Sequence, residues 1–307
     1  MTAYISYIAS MIIFGTIGIF VRYIDLPSSV IALSRGLLGG LCFLPFILFS
    51  KKRKTLITEI RANWKVLFMS CLFLVGNWIF LFESYRHTTL AIASILYYIA
   101  PLFVLIFAAV FFHEKMQTNV IISVLMTFIG MILLSDASPT EGAHISGIIF
   151  GICAAMCYAG MMITNKMLKN MGTAETTGIQ LLASTVLLFP YVLCTEKFSF
   201  TTLNSHSIIL IIILGVIHTG LGFFLFYYGL KRMQAQEIAV LGYIDPLVPV
   251  IVSFTVFHEW LSIVQIIGMF LIISAILLGS MMMNRKKILN TKPGKNGRHA
   301  ITVSSLS

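Results

Sequence analysis

Two stretches decide how this chain folds. The first is Tyr98-Ile99-Ala100-Pro101-Leu102, closing at Phe112-His113-Glu114; the second is Tyr243-Ile244-Asp245-Pro246-Leu247, closing at Phe257-His258-Glu259. Each residue of the second lies 145 positions after its partner in the first. The same offset maps Leu37 onto Leu182, Pro45 onto Pro190 and Arg86 onto Lys231, and it sets Gln180 opposite Arg35. A run of matches in one register marks an internal repeat.

Around these stretches the chain is apolar almost throughout. Of its 307 residues, 58% are hydrophobic and only 10% charged, with a mean hydropathy of +0.96; an ordinary soluble domain is about 25% charged. That excludes a soluble enzyme, a nucleic-acid binder and a disordered chain. Apolar runs of about 20 residues, each long enough to cross a bilayer core, are expected at 4–24, 28–49, 65–84, 89–111, 118–135, 146–166, 176–194, 207–229, 237–257 and 261–283. Period-2 alternation is absent, which excludes a β-barrel and leaves helices. The expected class is therefore an all-α integral membrane protein of ten transmembrane helices. The first run has no basic leader and no small-residue cleavage site, so it reads as a retained helix.

Charge orients these helices. The net charge is +10. Lys51, Lys52, Arg53, Lys54, Arg61, Lys65, Lys115, Lys166, Lys169, Lys231 and Arg232 lie in alternate connections, and Arg285, Lys286, Lys287, Lys292, Lys295 and Arg298 in the tail. The opposite connections hold Arg22, Arg86 and Lys197 beside Asp136, Glu141 and Glu196. The positive-inside rule then places both termini in the cytoplasm and the protein in the cytoplasmic membrane. The basic excess is a topology signal, so no nucleic-acid partner is expected.

The repeat unit is five helices, at 1–139 and 140–283, followed by a basic tail (284–307) expected to be disordered. An odd number of spans per repeat forces the halves into opposite orientations. Inverted halves characterise alternating-access transporters, with the binding site near the midplane between them.

On Phe14-Gly15, the second-helix Arg35, the Pro101-to-Glu114 stretch and Asp245-Pro246 running to Glu259, the chain resembles the ten-helix EamA-type members of the drug/metabolite transporter superfamily, over about 1–283. The resemblance implies a secondary transporter without ATPase activity, commonly an exporter of amino acids or related metabolites. One departure stands out: the first-half counterpart of Asp245 is Ala100, so any acidic role is one-sided.

Ionisable groups inside a span are functional candidates. At ~1.5 Å per residue, Arg35 and Asp245 lie roughly 10–12 Å inside opposite edges, and Asn77 and His218 fall at similar depth. These four are candidate substrate-binding residues. Asp245 could exchange a proton during transport, since burial disfavours the charged carboxyl, or it could form a lasting ion pair with Arg35. Arg35 could hold a substrate carboxylate or clamp helix packing. His218 reads as a satisfied core histidine that can still hydrogen-bond a solute; Asn77 could equally bridge helices.

Trp78, Tyr97, Tyr98, Tyr158 and Tyr243 are candidate lining for an organic solute, by stacking or cation–π contact. Pro101, Pro246 and Pro249 are candidate hinges, because each removes a backbone donor inside a span and the breaks recur in both halves. Pro45 and Pro190 read as simple bends. Gly36-x-x-x-Gly40 and Gly147-x-x-x-Gly151 read as close helix crossings. The His-Glu pairs at 113/114 and 258/259 lack a second histidine at zinc-motif spacing and read as helix end-caps. Cys42, Cys71, Cys153, Cys157 and Cys194 read as reduced packing residues, so neither metal nor cofactor is expected. A monomer suffices for a complete path. The rival functions are a membrane-embedded enzyme, which needs catalytic groups clustered at one interface, and a lipid flippase.

Overall fold

The computed structural model describes residues 1–49, 53–135, 144–196, 204–256, 258 and 260–291. All regular structure among them is helical. The chain runs through α1 (Thr2–Gly15), α2 (Ile17–Val21), α3 (Ser28–Leu41), α4 (Leu44–Leu48), α5 (Arg53–His87), α6 (Leu90–Tyr97), α7 (Ala100–Phe112) and α8 (Thr118–Leu134). It continues through α9 (Ile145–Met167), α10 (Thr173–Thr195), α11 (Ser205–Ile213), a π-helical segment (Leu214–Leu221), α12 (Gly222–Leu230), α13 (Ala235–Leu241), α14 (Ile244–Val256) and α15 (Ile263–Thr291).

Seven helical stretches are long and apolar enough to cross a membrane: Thr2–Val21, Thr55–His87, Ile92–Phe112, Ile145–Met167, Thr173–Thr195, Ser205–Leu230 and Ala235–Val256. Ser28–Leu41, Thr118–Leu134 and Ile263–Gly279 are shorter apolar helices. Large apolar side chains such as Phe46, Val110, Val186 and Phe270 stand exposed on the outside, as a lipid-facing surface requires. The protein is a multi-pass membrane protein.

Proline sets several of the breaks. A proline ring clashes with the carbonyl four residues earlier and supplies no N–H. Accordingly α3 ends at Leu41 before Pro45, α6 at Tyr97 before Pro101, and α13 at Leu241 before Pro246. One expected hinge behaves differently, and one expected loss is made good. Pro249 lies inside a continuous α14. The Gly242 carbonyl, expected to lose its helical partner, accepts the Asp245 N–H at 3.3 Å, a tighter i→i+3 turn.

Two connections differ from expectation. The basic segment expected between the second and third spans is helical from Arg53, making α5 35 residues long. Nothing between Arg53 and Trp64 breaks a helix, and Asn63 ties the extension down, donating to the Lys169 carbonyl at 2.9 Å and accepting the Lys169 N–H at 3.1 Å. At the other end α15 continues to Thr291, into the segment expected as a tail, because no Gly or Pro follows Gly279 until Pro293. Residues 292–307 lie outside the described residues, as do Phe257 and Glu259 of the second repeat stretch, Asp136, Glu141 and Lys197.

Helix packing is set by glycines at crossings. A Cβ on Gly36 would meet Thr185 Oγ1 at 2.9 Å, and one on Gly40 would meet Leu182 at 2.8 Å. In the α8–α15 pair, Gly130 faces Gly268 and Ile272 while Gly279 faces Ser123. In both pairs residue numbers rise on one helix as they fall on the other, so α3 runs antiparallel to α10 and α8 antiparallel to α15. The main core gathers Tyr7, Met11, Met161, Leu181, Phe226 and Tyr227; a second cluster holds Leu105, Val124, Tyr243, Leu247 and Ile272. The left-handed backbone of His113 at the end of α7 (φ 54°) recurs at His258 (φ 54°), so the matched histidines share an uncommon non-glycine conformation.

Candidate functional site

The breaks after Tyr97 and Leu241 face one another across the molecule. The Tyr243 hydroxyl on one side of its break donates to the Tyr98 carbonyl at the other, 3.2 Å away. Tyr243 is buried and acts as a strut between the breaks. Beside it lies a cavity lined by Tyr7 of α1, Tyr97 and Tyr98, Pro101 of α7, Tyr158 of α9, and Asp245 in the first turn of α14. The unfilled space at its centre is about 20 Å³, roughly the room of one water. An organic solute therefore enters only when the surrounding helices move apart.

Asp245 is the only charged residue lining this cavity. Among the described residues no side chain donates a hydrogen bond to its carboxylate, and no salt bridge joins it to Arg35. It lies in the first turn of α14, directly before Pro246, which has no N–H to offer it. The rings around it meet at angles: Tyr97 and Tyr158 have centroids 5.3 Å apart with planes at 41°, and Tyr97 and Tyr98 lie 5.9 Å apart at 65°. Phe226 supports the group from behind, 6.1 Å from Tyr158 and 5.6 Å from Tyr7.

The remaining candidates lie outside the cavity wall. Arg35 stands 5.6 Å over the Trp78 ring, and its Nε is buried without a hydrogen-bond partner. Asn77 donates to the Ala154 carbonyl at 3.0 Å, bridging α5 to α9, with its side chain also beside the Tyr97 hydroxyl. Trp78 is buried against Arg35 and Gly36. His218 sits in the π-helical segment, paired with Thr16 Oγ1 at 3.1 Å and edge-on to Phe20. It is a satisfied core histidine.

Sequence reasoning missed Tyr7 because one tyrosine in an apolar first helix carries no periodic signal. It also missed Glu237. This acid is buried, accepts from the Tyr4 hydroxyl and closes a capping box with Gln234 at the start of α13; an acidic residue opening an apolar run was the available clue. A third omission is the dry triad of Ser70, Asn165 and Gln180. Gln180 Nε2 donates to Ser70 Oγ and Asn165 Oδ1, both at 3.0 Å, and Asn165 Nδ2 donates to Ser70 Oγ at 2.9 Å.

A family model for EamA-like transporters matches residues 1–136 and again residues 145–281. The chain belongs to the EamA-like transporter family. An uncharacterized transporter of Bacillus subtilis, YxxF, is 31% identical over 284 residues, covering 90% of this chain and 89% of that protein. An uncharacterized transporter of Archaeoglobus fulgidus is 28% identical, covering 88% and 93%, and protein PecM of Dickeya dadantii is 22% identical, covering 73% and 77%. A crystal structure at 17% identity superposes with a TM-score of 0.80 over 93% of this chain and 98% of that one, a likeness of fold. As an EamA-like protein the chain is a membrane transporter and not an enzyme, and its rings and lone carboxylate line the one described cavity flanked by both helix breaks.

Proposed function

We propose that this EamA-like transporter exports a small organic solute, an amino acid or related metabolite, across the cytoplasmic membrane by alternating access. In this reading the three shorter apolar helices join the seven long ones as ten spans. The halves 1–139 and 140–283 are inverted, both termini are cytoplasmic, and a monomer carries the whole path. The antiparallel course of α3 against α10 and α8 against α15 supports inversion, since the 145-residue offset makes each pair a helix and its own repeat. The shared left-handed histidines support it as well.

The observation that carries the proposal is the cavity beside the two helix breaks, holding an unpaired carboxylate. Asp245 has no permanent partner there, which favours exchange of a proton over a structural ion pair. Counterflow of labelled metabolites in proteoliposomes tests transport directly: a broad panel should include at least one solute that exchanges, and no flux with intact protein overturns the proposal. Transport by Asp245→Asn should lose its dependence on the proton gradient. Unchanged pH dependence in that variant removes the coupling role.

A further inference from the structure

Which solutes this site accepts can be read from its walls, and this reading rests on the transport function proposed above. The cavity has one formal charge, the Asp245 carboxylate, and no cationic side chain among its lining residues. Tyr7, Tyr97, Tyr98 and Tyr158 line the same cavity as that carboxylate. The basic residue best placed to answer it, Arg35, is held on the Trp78 face and does not line the cavity. A carboxylate-bearing solute in this space would meet Asp245 without a counter-charge.

The ring geometry narrows the class further. Tyr97 packs against Tyr158 at 41° and against Tyr98 at 65°, so this wall is built of tyrosine rings. Electron-rich rings in the same wall as a carboxylate add cation–π attraction for a positive charge to the attraction of the carboxylate itself.

We infer that the cavity of Tyr97, Tyr98, Tyr158 and Asp245 binds the positively charged amine or quaternary-ammonium head of the transported solute. Tyr7 is held by its own hydrogen bond to the Ile238 carbonyl at 3.2 Å and fixes the floor against α13. The remainder of the solute lies outside the cage, and the carboxylate of an amino acid points away from Asp245.

Binding to the purified full-length protein in detergent, by calorimetry, tests this without requiring flux. The probes are methylammonium, tetramethylammonium and choline, together with two molecules of choline's shape: uncharged 3,3-dimethyl-1-butanol and anionic 3,3-dimethylbutyrate. At least one cation should bind, and choline should bind at least tenfold more tightly than its uncharged and anionic counterparts. Asp245→Asn should weaken cation binding at least tenfold. Tyr158→Leu should weaken it severalfold while Tyr158→Phe, which keeps the ring, loses no more than about twofold; this pair stands in if the aspartate variant fails to fold. The inference is overturned if no cation binds, if the uncharged isostere binds as well as choline, or if folded Asp245→Asn binds as the parent does. Flux in proteoliposomes separates the two claims. Cation binding with no flux of any labelled solute defeats transport alone, and flux of anionic or neutral solutes without cation binding defeats the cationic class alone.

Discussion

Gln180 and Arg35 occupy matched positions of the repeat, yet their surroundings have opposite characters. Gln180 is fully buried and shares hydrogen bonds with Ser70 and Asn165, whereas the Arg35 Nε is buried with none. A satisfied buried network holds helices together, while an unsatisfied group is costly. Asn165→Leu should therefore lower stability by about 1–2 kcal/mol by stranding its partners, seen as a lower melting temperature in detergent. Lys231, just past the end of α12, gives a pH-dependent case. Its ammonium donates to the Met171 carbonyl at 3.2 Å and to Thr176 Oγ1 at 2.9 Å. Burial, with Arg232 adding to it, depresses its pKa from 10.5 to about 8. A lysine whose folded pKa is depressed costs the folded state most below that value, and the cost fades as pH rises from about 8 toward 10.5. The melting temperature of the parent should thus rise relative to Lys231→Gln between pH 8 and 10; a constant difference contradicts this.

At the level of elements, prolines and glycines decide most of what matters. Pro101 and Pro246 end α6 and α13 beside the cavity, so their replacement by alanine should let each helix run on and remove the turn that positions Tyr98 or Asp245. Slower transport with unimpaired folding, measured by counterflow and size-exclusion chromatography, is the expected outcome. The α8–α15 crossing depends on absent side chains. A Cβ on Gly130 would lie 2.9 Å from the Gly268 carbonyl oxygen, and one on Gly268 would lie 2.7 Å from that of Gly130. Backbone atoms cannot swing aside, so Gly268→Val should cost about 2–3 kcal/mol through overpacking, read as a fall in melting temperature. The prolines were legible in part, whereas the Gly130–Gly268 crossing was not among the glycine pairs read from the sequence. Pro101 and Pro246 were visible as matched breaks and Pro190, inside a continuous helix, as a simple bend, but Pro249 was grouped with the hinges and also lies within a continuous helix.

Across the whole molecule, polar contacts tie regions that the repeat assigns to different halves. Glu196 at the end of α10 accepts from Arg86 of α5 and from Ser29 of α3 at 2.5 Å, while Tyr191 donates to Glu83 at 2.5 Å. On the proposed orientation this cluster lies at the outer face, and the Lys231 contacts lie at the inner one. A cysteine introduced at His144 in a cysteine-free background should then react with a membrane-impermeant thiol reagent on intact cells. One at Met116 should react only after permeabilisation. The reverse pattern would invert the orientation and with it the direction of every gate.

Periodicity, charge distribution and the 145-residue offset alone determined that this is a helical membrane protein with a doubled design, because length, hydropathy and basic flanks act locally along the chain. They also brought Tyr97, Tyr98, Tyr158 and Asp245 into consideration. Only the tertiary structure decided which polar residues share a cavity and which are spent on packing. Depth placed Arg35, Asn77, His218 and Asp245 at one level, but a residue's rotation about its helix and the partner it meets there depend on neighbours far away in sequence. Asn77 meets the Ala154 carbonyl and His218 meets Thr16. Asp245 shares its cavity with four tyrosines and, among the described residues, with no cation.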